Sequence, residues 1–136
     1  MLRGACHCGN ISFTLDHEPA EIVARACGCS FCTKHGGVWT AWPNGELRVT
    51  VEDPAAVSHY AFATRTATFL VCARCGVVPV VTSQIGDRVY AVVSVLALEI
   101  DPALVRRVPE SFDGESLDDR LARRARGWIA NVEGLQ

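Results

Sequence analysis

Seven cysteines in three short clusters constrain this chain more than any other feature. They stand as Cys6-His7-Cys8, Cys27-Gly28-Cys29-Ser30-Phe31-Cys32 and Cys72-Ala73-Arg74-Cys75. Thiols spaced this closely meet either as disulfides or around a metal. An odd number cannot close as a disulfide set. Met1-Leu2-Arg3-Gly4 runs straight into Cys6 with no apolar h-region of a secretory signal between them. The longest apolar stretch, Ala91 to Ile100, is too short to span a bilayer and is interrupted by Ser94 and Glu99. The expected setting is cytoplasmic, where thiols stay reduced and clusters of this kind hold metal.

Zinc suits the inventory. Its structural sites take four tetrahedral ligands, and thiolates are the commonest. Cys72 and Cys75 followed by Gly76 read as a zinc knuckle, in which the glycine lets the backbone turn so that amides face the sulfurs. Cys6 and Cys8 followed by Gly9 read as a tighter version. The two pairs together are expected to form one structural four-cysteine site, tying the N-terminal strand to the middle of the chain. Inert buried cysteines and a redox pair at Cys72/Cys75 are the competing readings. A redox pair wants a strand-to-helix junction, whereas strands are expected on both sides of this one.

Cys27, Cys29 and Cys32 supply three ligands and stop one short, the mark of a catalytic or substrate-binding zinc. His35, three positions after Cys32, is spaced to seal the site as a fourth ligand; His7 and His59 fit less well. If the site is open, three thiolates outweigh the charge of Zn²⁺ and leave it electron-rich. Such a metal makes hydroxide poorly and favours a soft ligand, so an incoming thiol is bound as thiolate. The chemistry implied is thiol addition to a small aldehyde, or the reverse carbon–sulfur cleavage. Ser30, Thr33 and His35 are the candidates for returning the proton.

The rest of the chain frames these clusters. Its 136 residues suit one domain, and a net charge of −2 gives no electrostatic case for nucleic acid or an anionic membrane. Strands are expected over Asn10 to Leu15, Gly37 to Trp42, Leu47 to Val51, Ala67 to Val71, Val77 to Thr82 and Arg88 to Leu98. Pro79 puts its strand at an edge or gives it an irregular start. Asp101 to Gly114, with Pro102 and Pro109, reads as a loop. Ser116 can cap a helix running to about residue 133, with Leu117, Leu121, Trp128 and Val132 as an apolar stripe against the sheet.

The three clusters, with Gly4-Ala5 and Gly9 around the first, Gly36-Gly37 after the second, and Phe69 and Gly76 around the third, resemble a known family. It is that of the glutathione-dependent formaldehyde-activating enzymes, which share their domain with the centromere protein V group. The likeness covers about residues 3 to 100. It implies a mainly β, Mss-four-like fold of several coiled antiparallel sheets, here followed by a C-terminal helix. It also implies two zinc ions per chain: a structural one on Cys6, Cys8, Cys72 and Cys75, and a catalytic one on Cys27, Cys29 and Cys32. The implied activity joins formaldehyde to glutathione and is classed as a carbon–sulfur lyase. The likeness favours the open reading of the triplet over closure by His35.

Two departures bear on the substrate. Gly28 stands where the family often has histidine, and Thr33-Lys34 stands where two basic residues are frequent. Glutathione carries two carboxylates and needs cationic or amide donors. Lys34 and His35 are the substrate-binding candidates, with Arg25, Arg65 and Arg74 as further cations. The expectation is a zinc-dependent enzyme acting on a small thiol and an aldehyde. The alternative is a non-enzymatic zinc module for protein interaction, or for metal or redox sensing.

Overall fold

The alternation of Ile11, Phe13 and Leu15 with Ser12, Thr14 and Asp16 does what a period of two requires. The three apolar side chains are buried and the three polar ones are not. A computed structural model describes residues 1–17 and 21–135. Its elements, in chain order, are β1 (Leu2–Ala5), β2 (Ile11–Asp16), β3 (Ile22–Cys27), α1 (Ser30–His35), β4 (Val38–Thr40), β5 (Glu46–Val51) and β6 (Val57–Tyr60). They continue with β7 (Thr68–Cys72), β8 (Val80–Ile85), β9 (Arg88–Ser94), β10 (Val105–Glu110), α2 (Leu117–Gly127) and β11 (Asn131–Glu133).

The strands form two sheets, one in the order β1-β2-β5-β11 and one in the order β10-β3-β4-β9-β8-β7-β6. The fold is mainly β with a C-terminal helix, as the sequence leads one to expect. The sheets are mixed, however, because β10 joins β3 and β11 joins β5 in parallel. Among the described residues no helix is long and apolar enough to cross a membrane.

Neighbouring residues in the large sheet sort into two cores. Val38, Leu70, Val80 and Val93 pack with Ile11, Phe13 and Leu15 of the small sheet. Their chain neighbours Trp39, Phe69, Val81 and Val92 gather with Cys32 in a second cluster. Successive side chains on a strand point to opposite faces, so the central strands are buried on both sides. The first four-cysteine partners, Cys6 and Cys72, belong to one core and Cys32 to the other. The two cysteine groups therefore sit against different hydrophobic layers.

Three expectations are corrected. Residues 105–110 are a strand rather than part of a loop. It is the end strand of its sheet, where a proline such as Pro109 costs no ladder hydrogen bond. The strand expected over Val77 to Thr82 begins only after Pro79 and runs to Ile85. It lies inside the sheet, between β9 and β7, so the irregular start is the effect of the proline. The helix starts as its cap predicts, Ser116 Oγ accepting from the Asp119 amide at 3.1 Å, but ends at Gly127. Val132 is in β11, and Leu117 is 46% exposed, so the expected apolar stripe is not the buried face. The residue α2 buries is Arg124.

Candidate functional site

Two matched turns build the four-cysteine group. The Cys6 amide donates to Ile11 O at 2.9 Å, and the Cys72 amide donates to Val77 O at 3.0 Å, each closing a loop of the same length. Gly9 and Gly76 follow the second cysteine of each pair at φ of 86° and 80°, a left-handed conformation that a side chain would strain. Their amides turn back to Cys6 O and Cys72 O, and the Ile11 amide donates to Cys6 Sγ at 3.3 Å. The four sulfurs lie within 4.8 Å of one another, with Cys6 to Cys8 at 3.8 Å and Cys8 to Cys72 at 3.5 Å. Tetrahedral zinc–thiolate bonds require sulfurs about 3.8 Å apart. The group fits that metal.

The sulfurs' acidities are split, as crowding demands. Burial works to raise Cys75, but the amides of Val77 and Cys8 and its sulfur neighbours bring it down to about 6. Cys8 receives the Asn10 amide, which lowers it, yet its sulfur neighbours and desolvation push it up to about 11. Sulfurs this close cannot all ionise together unless a cation sits among them.

The triplet is set by a strand end and one helical turn. Cys27 is the last residue of β3, and the Gly28 amide is fixed to Glu110 O of β10 at 2.9 Å. A Cβ at Gly28 would come within 3.3 Å of that carbonyl, so the absence of a side chain here suits the close approach of β10. Cys29 caps α1, its sulfur accepting from the Cys32 amide at 3.4 Å, and Gly36 at φ 74° ends the helix. Three residues of helix bring Cys32 onto the same face as its cap. The three sulfurs lie within 4.8 Å of one another. Trp39 Nε1 donates to Cys32 Sγ at 3.3 Å in a buried contact.

Here too the acidities diverge. The Cys32 thiol, donating to Cys27, holds Cys27 down at about 5 against the opposing effect of burial; the Cys29 groups and the field of Arg123 act in the same direction. Cys32 is pushed far up by that same bond and by burial, although the Trp39 N–H pulls it the other way. Three soft donors of this kind match zinc. Among the described residues no fourth metal-binding side chain joins them. The exposed His35 stacks on Phe31 at 5.1 Å between ring centroids.

The triplet opens into a cavity of about 340 Å³. Trp39, Phe69, Val81 and Val92 give it an apolar floor, and Arg120, Arg123 and Arg124 of α2, with Trp128 just after it, supply much of its wall.

The sequence profile described as glutathione-dependent formaldehyde-activating enzyme matches residues 1–106. The chain belongs to that family. A crystal structure of a Rhodobacter sphaeroides protein is similar to it, at 30% identity and a TM-score of 0.58, covering 79% of this chain and 97% of that one. No protein of curated function matches the sequence.

Against this family background the structure redistributes the substrate-binding candidates. Lys34 and His35 sit exposed in the last turn of α1 and do not line the cavity. Nor do Ser30 and Thr33, and the Thr33 hydroxyl is engaged with Gly28 O at 3.3 Å. Arg74 pairs with Asp53 at 2.8 Å beside the other cysteine group, and Arg65 is exposed. Arg25 does line the cavity, 3.6 Å from Glu110. The residues that sequence reasoning missed are Trp39 and the arginines of α2. The signal for the latter was present: Arg120, Arg123 and Arg124 recur at helical spacing and share a face.

Proposed function

We propose that the chain is a zinc-dependent enzyme of the carbon–sulfur lyase type, joining a small thiol such as glutathione to an aldehyde such as formaldehyde. The observation that carries the reading is the convergence of Cys27, Cys29 and Cys32 in the lining of a cavity, with no fourth side-chain ligand among the described residues. Family membership supports the choice of thiol and aldehyde. Cys6, Cys8, Cys72 and Cys75 hold a second, structural zinc, closed by four ligands and set against the other hydrophobic layer.

Zinc held by the triplet supplies a soft position at which a thiol is stabilised as thiolate at neutral pH. The chain does the rest. Cys27, Cys29 and Cys32, which line the cavity, would hold the metal, and the Trp39 N–H and the Cys32 amide fix two of the sulfurs in place. The apolar floor excludes water from the attacking sulfur and the aldehyde carbon, which strengthens every charge interaction there. Thr64 is the hydroxyl in the lining; with water it relays the proton that the thiol loses to the oxygen formed from the aldehyde, and is itself reprotonated in the same transfer.

Exchange spectroscopy of formaldehyde and glutathione in equilibrium with their adduct tests this. The zinc-loaded wild type accelerates exchange between free and adduct carbon, and Cys29→Ser does not. Equal exchange with both proteins, or none with either, contradicts the proposal.

A further inference from the structure

Among the described residues, Arg124 is the buried charge without a counter-charge. It is 7% exposed. Its Nη1 donates to Thr66 Oγ1 at 2.9 Å and to Ser83 Oγ at 3.1 Å, both neutral acceptors, and Ser83 is itself fixed by donating to Thr66 O at 2.7 Å. Its Nε is buried with no hydrogen-bond partner. Arg120 Nε is likewise buried without a hydrogen bond, but the arginines around Arg124 each have a counter-charge. Arg120 and Arg123 converge on Glu115 at 3.4 and 2.9 Å, and Arg25 faces Glu110. Among the described residues no carboxylate lies within ion-pair reach of Arg124. Burial, reinforced by Arg123 and Arg120, lowers it only to about 10, so it stays cationic at neutral pH.

A guanidinium buried without an anion is costly unless something else completes it. Thr66 and Ser83 do not line the cavity, whereas Arg124 does. The hydroxyls therefore brace the guanidinium from behind and leave Nη2 to the cavity. With Nη1 spent on the hydroxyls and Nε sealed, Nη2 is the nitrogen left to donate, and a carboxylate oxygen is its charge-matched acceptor. The cavity stands at the small end of the roughly 300–1,000 Å³ that ligand sites occupy, which limits the occupant to a small molecule.

We propose that Arg124 is the carboxylate anchor of this site, selecting small thiols that carry a carboxylate over neutral ones. The inference rests on the reading of the triplet as a thiol site. It goes beyond the family, because Arg124 and the whole wall from Glu110 to Trp128 lie past residue 106, where the family match ends. The specificity of this chain is thus supplied by its C-terminal helix, and the reactive end by its cysteines. Arg120 and Arg123, already engaged by Glu115, shape the same wall without being the anchor.

Binding to the zinc-loaded protein, measured by calorimetry, separates the possibilities. The probes are 3-mercaptopropionate, its neutral methyl ester, and 3-(methylthio)propionate, which keeps the carboxylate and loses the thiol. Wild type binds the acid at least about tenfold more tightly than the ester. Arg124→Gln binds acid and ester alike while its ester affinity matches wild type, which also shows that it is folded. Arg124→Lys keeps part of the preference. Equal binding of acid and ester by wild type overturns the proposal, as does a preference undiminished in Arg124→Gln. A third contrary result is loss of triplet zinc in Arg124→Gln with no acid preference in wild type, which makes Arg124 a counter-charge to the thiolates. If the methylthio acid binds as tightly as the free thiol, the thiol reading fails while the Arg124 anchor stands.

Discussion

The indole of Trp39 donates to Cys32 Sγ at 3.3 Å, tying one cysteine of the triplet to the buried face of the large sheet. A hydrogen bond to a metal-bound sulfur fixes its direction and tempers its charge, and partners of this kind are worth roughly 10–100-fold in metal affinity. Trp39→Phe keeps most of the apolar bulk and removes the donor. The triplet then releases zinc to a chelator at about tenfold lower chelator concentration, and the four-cysteine group holds its metal as before. Unchanged release from both groups contradicts this role for the indole.

Cys27 is the sulfur poised to lose its proton first. Its acidity is raised, to a pKa of about 5, by the bond from Cys32. A depressed value means that the thiolate prevails above that pH and the thiol below it. With metal removed from the triplet and the four-cysteine group still loaded, alkylation of Cys27 by iodoacetamide accelerates as pH rises through about 5 and levels off by neutrality. Peptide mapping of the labelled protein reads this directly. A rate that continues to climb to pH 9 contradicts the hydrogen-bonded arrangement.

The helix that walls the cavity depends on its cap. Ser116 Oγ accepts from the Asp119 amide, and Asp118 and Asp119 add charge favourable to the first turn. Ser116→Ala costs about 1 kcal/mol, a fall in Tm of about 4 °C by scanning calorimetry. Glu115 and its two arginines lie immediately beside the cap, so the loss loosens the wall as well as the helix. No change in Tm means that the cap carries none of the stability of α2.

The two cysteine groups were legible because their information is local. Cys72, Cys75 and Gly76 are adjacent, and the turn they make follows from a glycine at positive φ. The β2 and β5 strands were legible because one face of their sheet is buried and the other is not. The β10 strand was not. Its Arg106-Arg107 and Pro109 look like a loop, and only its position at the sheet end makes them admissible. The helix misled for a related reason. Leu117 and Trp128 suggest an apolar contact, whereas the inward residue is Arg124, held by Thr66 and Ser83 from distant parts of the chain. Periodicity reports where apolar residues recur and says nothing of a buried cation whose partners are 58 and 41 residues away.

The division of the seven cysteines into a structural four and an open three is the claim on which the rest depends. Zinc per chain, measured on wild type, Cys29→Ser and Cys72→Ser alongside their circular dichroism, tests it most directly. Two zincs are expected in wild type, about one in Cys29→Ser with the fold retained, and loss of stable folding in Cys72→Ser, because structural metal binding supplies folding energy. Global unfolding of Cys29→Ser, or a wild type that holds a single zinc, would contradict the account.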